Sequence, residues 1–398
     1  MPYNFDTSLD RRQTESLKWN HYPAGVIPLW VADMDFVSPQ PVIKALQERV
    51  AHGVFGYPGS VLDDPCALDE LQQVIIERLW DRYKWQVNPE DLVFIPGVVT
   101  AFNLACHTVA KPKGNVIVET PVYPPFLGAA RYAGMRKREV ELSQNENGTY
   151  SVDWDAFEAA YDADTRLFIL CNPHNPVGRV FQREELERMA QICLRQGVVI
   201  CSDEIHCDLV YSGHQHIPIA TLDPEIAQNS ITLMAPSKTF NIAGLQFSVV
   251  IIPNKKLRVK YIRSKKGLVG WVNLMGLTAA LAAYRDGQEW LEQLLVYLED
   301  NRDFLYRFVQ QELPGIRMPN PEGTYLAWLD CRRSGIEGNP CKFFLDHARV
   351  GLNDGSTFGK GGEGFIRLNF GCPKAVLEKA LDQIKEAYFT CFFHKQAR

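Results

Sequence analysis

Between residues 90 and 255, six short apolar runs (92–95, 116–118, 167–170, 198–201, 231–233 and 247–252) alternate with stretches of helical periodicity. Short, fully apolar strands separated by helices predict a mostly parallel sheet with helices on both faces, the doubly wound α/β arrangement. In such sheets ligands bind beyond the carboxyl ends of the strands, so the residues that follow each run are where chemistry should collect.

Three of those strand tails carry distinctive residues. The run ending at Cys171 leads into Asn172-Pro173-His174-Asn175-Pro176-Val177-Gly178, and the run ending at Cys201 leads into Ser202-Asp203-Glu204-Ile205-His206. The run ending near Met234 leads into Ala235-Pro236-Ser237-Lys238-Thr239-Phe240-Asn241-Ile242-Ala243-Gly244. An amide, a carboxylate and an amine in that order suit pyridoxal 5′-phosphate: a partner for its phenolate, a partner for its pyridinium nitrogen and an amine for its aldehyde. Asp203 at the crevice would keep the ring nitrogen protonated through a charge-assisted hydrogen bond. Partial burial would lower the pKa of Lys238 and leave free amine near neutrality. Asn175, set between two prolines, presents one rigid amide.

Further candidates lie at other strand ends. Pro96-Gly97-Val98-Val99-Thr100 opens a helix whose backbone N–H groups and dipole can hold a phosphate. Tyr123 can stack on the cofactor ring, and Arg367, a charge within an apolar strand, fits bidentate capture of an amino-acid carboxylate. Taken singly, Asp203 is an N-cap or surface carboxylate, Asn175 a turn residue, Tyr123 a core aromatic, Arg367 half of a structural ion pair and the 96–100 loop an ordinary turn. Their order around Lys238 turns the reading toward a cofactor site.

The 398 residues exceed what one core fills, and an apolar share of 46% serves two. The expected division is an N-terminal arm with part of a small domain (1–48), a large cofactor-binding domain (49–285) and a smaller α+β domain (286–398). The arm holds Trp19, Tyr22, Trp30 and Ala32. Helices are expected from Pro39 to Gly53 and through Leu71 and Leu79, and one long helix from about Leu274 to Glu312. Gly53, Gly56, Pro58 and Gly59 force a loop around Tyr57. The loop 267–273 either shapes the pocket or gives Val269 and Trp271 to the core.

A net charge of −5, from 42 basic and 47 acidic residues without long blocks of one sign, argues against nucleic acid or an anionic membrane as partner. Ten cysteines, scattered from Cys66 to Cys391 without a C-x-x-C pair, read as buried thiols of a reducing compartment, with no metal site. The start lacks a signal peptide and no segment is apolar enough to span a bilayer, so a cytoplasmic protein is expected.

Together these residues resemble the fold type I pyridoxal-phosphate enzymes of the class I/II aminotransferase group. The segments Trp30-Val31-Ala32-Asp33-Met34-Asp35-Phe36, His52-Gly53-Val54-Phe55-Gly56-Tyr57 and Ser202-Asp203-Glu204-Ile205-His206 resemble its MalY/PatB branch of cystathionine β-lyase-type C–S lyases. The resemblance implies that Lys238 bonds the cofactor aldehyde, Asp203 meets the pyridine nitrogen, Asn175 meets the phenolic oxygen and Tyr123 stacks on the ring. It also implies that Arg367 and the Ala32 backbone hold the substrate carboxylate, with Asn175 beside them. Tyr57 would reach the cofactor phosphate of a second subunit, making the active form a homodimer, and Tyr123 or Tyr57 would position the substrate or assist proton transfer. Three positions depart from the group, the first two being Ala235, which stands where a hydroxyl is usual, and Gln246, where an arginine often follows. The phosphate then rests on Val98, Val99, Ser237 and Tyr57. His206 replaces a tyrosine common among aminotransferases and faces the phenolic oxygen. The implied activity is α,β-elimination from cystathionine or a cysteine S-conjugate, with transamination as the nearest alternative and a non-catalytic, ligand-sensing regulator as the alternative of another class.

Overall fold

The computed structural model describes residues 3–58 and 69–396, with side chains described as far as Thr390; Gly59, Cys66 and the Cys391 side chain lie outside the described residues. Its central sheet has seven strands: β1 (Leu92–Ile95), β2 (Asn115–Thr120), β3 (Arg136–Glu141), β4 (Thr165–Cys171), β5 (Val199–Asp203), β6 (Ser230–Met234) and β7 (Ser248–Ile251). Their spatial order is β1-β7-β6-β5-β4-β2-β3, with β7 antiparallel to both neighbours and the other pairings parallel.

Alternate residues of the apolar runs face opposite sides, and each side is covered. Val116, Val118, Leu167, Ile169 and Leu233 pack with Phe102 and Phe126 on one face, while Ile117, Phe168, Leu170 and Ile200 pack with Leu186, Met189 and Ile192 on the other. Burial on both faces is why these strands read as continuous apolar runs rather than as alternating ones. β3 was not anticipated. It reads Arg-Lys-Arg-Glu-Val-Glu, and as the sheet edge it buries only Val140 fully. Charged side chains on an edge strand discourage pairing with another chain, at the cost of hiding the strand from a hydrophobicity reading.

The expected single helix between Leu274 and Glu312 is two, Leu274–Asp286 and Gln288–Glu312. The break falls at Gly287, where an added Cβ would stand 2.4 Å from the Ala283 carbonyl oxygen and 2.7 Å from the Phe240 ring. Close approach of Phe240, two residues after Lys238, requires glycine there. The helices expected from Pro39 and through Leu71 are present as Gln40–His52 and Asp69–Tyr83.

A second, antiparallel sheet holds β8 (Leu326–Asp330), β9 (Asn353–Asp354) and β10 (Phe365–Asn369) in the order β8-β10-β9. The N-terminal arm joins it: Ile27–Pro28 pairs in parallel with Val350–Gly351, and the Asn369 N–H donates to the Leu29 carbonyl at 2.9 Å. Fully buried Lys18 donates to the Asp35 carboxylate at 2.7 Å, which pins the arm before it reaches the crevice between the two sheets. Among the described residues no helix is long and apolar enough to cross a membrane. Seven of the eight described cysteines are buried and all eight are free thiols.

Candidate active site

Parallel pairing in register places Asp203, the last residue of β5, beside Cys171 of β4 and Leu233 of β6, so three strand tails end at one level. Above them lies a cavity of about 260 Å³. Lys238, Asp203, Asn175, Tyr123, Arg367, Ala32, His206, Ser237, Val98 and Val99 all line it. Residues 206 positions apart in sequence thus meet, as Lys238 Nζ donates to the Ala32 carbonyl at 2.6 Å.

Tyr57 is the exception. It is 85% exposed, off the cavity, with its ring edge on Trp271 at 5.8 Å between centroids. Trp271 is likewise half-exposed and does not line the cavity, whereas Val269 packs on the core beside the first sheet face.

Charge balance in this crevice is set by burial. The Asp203 carboxyl is pushed up to about 7, first by burial and further by Glu204, against the Ile205 N–H that it accepts at 3.1 Å and the charge of Lys238. Burial pulls Lys238 down to about 8, with Arg367 adding to the fall while Asp33 and Asp203 oppose it. His206 is driven to about 3 by burial and by the cations Lys238 and Arg367, so it is neutral at physiological pH. Arg367 falls to about 10 through burial.

Arg367 has no carboxylate partner among the described residues. Its guanidinium donates to Asn175 Oδ1 at 2.9 Å, the Trp30 carbonyl at 2.9 Å and Asn353 Oδ1 at 2.6 Å, and lies 4.9 Å from the Phe358 ring centroid. A buried guanidinium held only by neutral acceptors is costly unless an anion joins it, which disfavours the structural ion-pair reading. Its Nε and the Nδ1 of His206 are buried without a partner.

The cavity reaches the start of the helix Val98–Val109, where the first N–H to bond within the helix is that of Ala101, to the Gly97 carbonyl at 3.1 Å. The N–H groups of Val98, Val99 and Thr100 therefore remain available at the positive end of the dipole. Gly97 takes φ 88° and ψ 148°, a region almost closed to other residues, and an added Cβ would stand 2.9 Å from Gln246 Oε1. Gly97→Ala is accordingly expected to cost about 1 to 3 kcal/mol in stability and to weaken cofactor affinity about tenfold or more, read by urea unfolding and by equilibrium dialysis.

These features fit pyridoxal phosphate: a carboxyl with raised proton affinity for a ring N–H, an amine near neutrality for an aldehyde, and a row of free N–H groups for a phosphate. Sequence reading passed over Tyr325, whose hydroxyl donates to the Ala32 carbonyl at 3.0 Å, and Asn353 behind Arg367. Neither lies in a recognisable string: Tyr325 acts on a partner far away in the chain, and Asn353 meets Arg367 only through the pairing of β9 with β10.

Residues 24–384 match the aminotransferase class I and II family. The chain belongs to that family. It is 40% identical to cystathionine beta-lyase PatB of Bacillus subtilis over 392 residues, covering 96% of this chain and 99% of the relative. Cystalysin from Treponema denticola, whose crystal structure contains pyridoxal 5′-phosphate, superposes with a TM-score of 0.91 at 32% identity, covering 97% of this chain and 99% of that one. The pyridoxal-phosphate-bound C–S lyase from Staphylococcus hominis superposes with a TM-score of 0.89 at 35% identity and the same coverage. The fold is that of the fold type I enzymes, the cofactor is pyridoxal 5′-phosphate, and the similarity runs to the cystathionine β-lyase branch.

Proposed function

We propose that this family member is a carbon–sulfur β-lyase, cleaving cystathionine or a related cysteine S-conjugate by α,β-elimination to pyruvate, ammonia and a thiol. The likeness to PatB along nearly the whole of both chains carries the reading. Residues 49–285 would form the cofactor-holding domain and residues 1–48 and 286–398 the smaller one. The working form would be a homodimer in which Tyr57 of a second copy reaches the phosphate, which accounts for its exposure on a single chain.

In this site Lys238 would hold the cofactor aldehyde, Asp203 its ring nitrogen, Asn175 and His206 the phenolic oxygen, and Tyr123 a ring face. Val98, Val99 and Ser237 would hold the phosphate. When bound, pyridoxal phosphate supplies an electron sink that acidifies the substrate Cα–H bond. The substrate carboxylate would join Arg367, whose neutral partners leave its charge unspent, and the Ala32 backbone N–H. Once displaced by the substrate amine, Lys238 Nζ takes the α-proton, a role suited to an amine with a pKa of about 8. The C–S bond then breaks, sulfur leaving with the bonding pair. Burial holds Tyr123 above its ordinary pKa, so its phenol retains a proton with which to assist the departing thiolate. Released aminoacrylate takes up water and yields pyruvate and ammonia.

Transamination shares the site up to α-proton removal and differs in where that proton returns; a regulator would bind ligand without turnover. An assay with cystathionine, cystine and an aromatic amino acid separates the three. Many turnovers of pyruvate and thiol without added keto acid are expected, whereas a single half-turnover that resumes on adding a keto acid identifies a transferase, and binding without product identifies a regulator. Arg367→Lys retains the charge but loses the planar fork, so KM for the amino acid should rise about 10- to 100-fold with kcat changed far less, as measured by initial rates.

A further inference from the structure

The turn at residues 30–35 is tied down from several directions. Asn369 Nδ2 donates to the Val31 and Asp33 carbonyls at 2.7 and 2.9 Å, Asn241 Nδ2 to those of Met34 and Phe36 at 3.0 and 2.7 Å, and Lys18 to that of Asp33 at 2.9 Å. What these bonds immobilise at the cavity is the Ala32 carbonyl. Its oxygen accepts two hydrogen bonds, from Lys238 Nζ at 2.6 Å and from the Tyr325 hydroxyl at 3.0 Å. Tyr325 is buried, with its ring edge toward His206 at 6.0 Å between centroids.

We propose that the Ala32 carbonyl is the seat to which the Lys238 amine returns when it leaves the cofactor, and that Tyr325, bonded to the same oxygen, is a positioning residue that keeps this seat a poor host for ammonium. The inference rests on the reading of Lys238 as the base. A carbonyl that already accepts from a phenol offers less electron density to a second donor. Loss of that density penalises a charged ammonium more than a neutral amine, because charge-assisted hydrogen bonds are the stronger kind. The groups facing Lys238 are Asp33 from the arm and Asp203 from β5, both favouring ammonium, and Arg367 from β10, opposing it. His206 is neutral, and burial keeps the Tyr123 and Tyr325 phenols protonated. Two carboxylates would tip Lys238 toward ammonium; burial and Arg367 work the other way, and the phenol on its acceptor adds to them. No proton passes to Tyr325, since the α-proton goes to Nζ and is released from there.

The test is Tyr325→Phe in the full chain, stripped of cofactor and mixed with pyridoxal phosphate, with uptake followed by absorbance from about pH 6 to about pH 10. The midpoint of the rate is expected to rise by about 0.5 to 1 unit, slowing uptake at pH 7 about three- to tenfold while the high-pH plateau stays unchanged. In the holoenzyme the acidic limb of kcat should move the same way with KM within about twofold. A lowered plateau or raised KM with an unmoved midpoint would indicate packing alone and overturn the proposal. Site-specific 3,5-difluorotyrosine at position 325 strengthens the donor and should move the midpoint down; it decides the matter alone if Tyr325→Phe does not fold, and an unmoved midpoint there also overturns the proposal. A shifted uptake midpoint in a protein that eliminates no thiol leaves this inference standing and removes the lyase reading.

Discussion

Lys238→Ala is expected to lower turnover by at least about 10⁴-fold, because on the proposed reading the substitution removes at one stroke the group that would hold the cofactor covalently and the base that would take the α-proton. The fall should come without loss of fold. Lys238 lies on the short helix Pro236–Thr239, and losing its side-chain hydrogen bond to the Ala32 carbonyl leaves that oxygen still bonded to Tyr325. Removing a desolvated cation from beside Arg367 also relieves repulsion between them. Pyridoxal phosphate should therefore still bind through Asp203, Ser237 and the N-terminus of the helix Val98–Val109, but reversibly. Borohydride treatment followed by mass spectrometry should fix an adduct on the native chain and none on the variant. Turnover within about tenfold of native would remove Lys238 from the chemistry altogether.

How much of this was legible beforehand follows from what kind of physics wrote each part. Strands buried on both faces are long enough apolar runs to be seen one by one, and β1, β2 and β4 to β7 were. β3 escaped because an edge strand is selected to be charged. The antiparallel direction of β7 escaped because direction is a property of the connection through residues 235–247, not of the strand's own residues. The site divides in the same way. Lys238, Asp203 and Asn175 follow strands that must end at one level, so their meeting was implied by order alone. Arg367 stood out as a charge in an apolar strand, yet its partners Asn175, Asn353 and Trp30 come from three separate segments, and no spacing announces them. Gly287 is the converse case: a glycine within helical periodicity, whose reason is the approach of Phe240 from far away in the chain.

Asp203→Asn should move activity and cofactor-free stability in opposite directions. The carboxyl is buried at the end of β5 and, with its pKa raised to about 7, is a group whose ionisation the fold resists. Its folded value lies above the unfolded value near 3.8, so its contribution is fully present below about pH 4 and is lost as pH rises through about 7. In the cofactor-free chain an amide of the same shape avoids that loss. The variant should match the native chain near pH 4 and exceed it by on the order of 2 to 4 kcal/mol above pH 7, as read by urea unfolding at both pH values. With pyridoxal phosphate bound the balance reverses. Asp203 has no ion pair at hydrogen-bond distance among the described residues, and on the proposed reading a ring N–H⁺ would supply one, a charge-assisted bond of about 1.5 to 3 kcal/mol that would keep the ring protonated. The neutral amide cannot hold that proton, so kcat should fall about 10- to 150-fold with KM little changed. On the proposed reading the same carboxyl that burdens the cofactor-free crevice would be the one that makes the filled crevice reactive, and a variant that lost stability at pH 8 while keeping its kcat would break both halves of that argument.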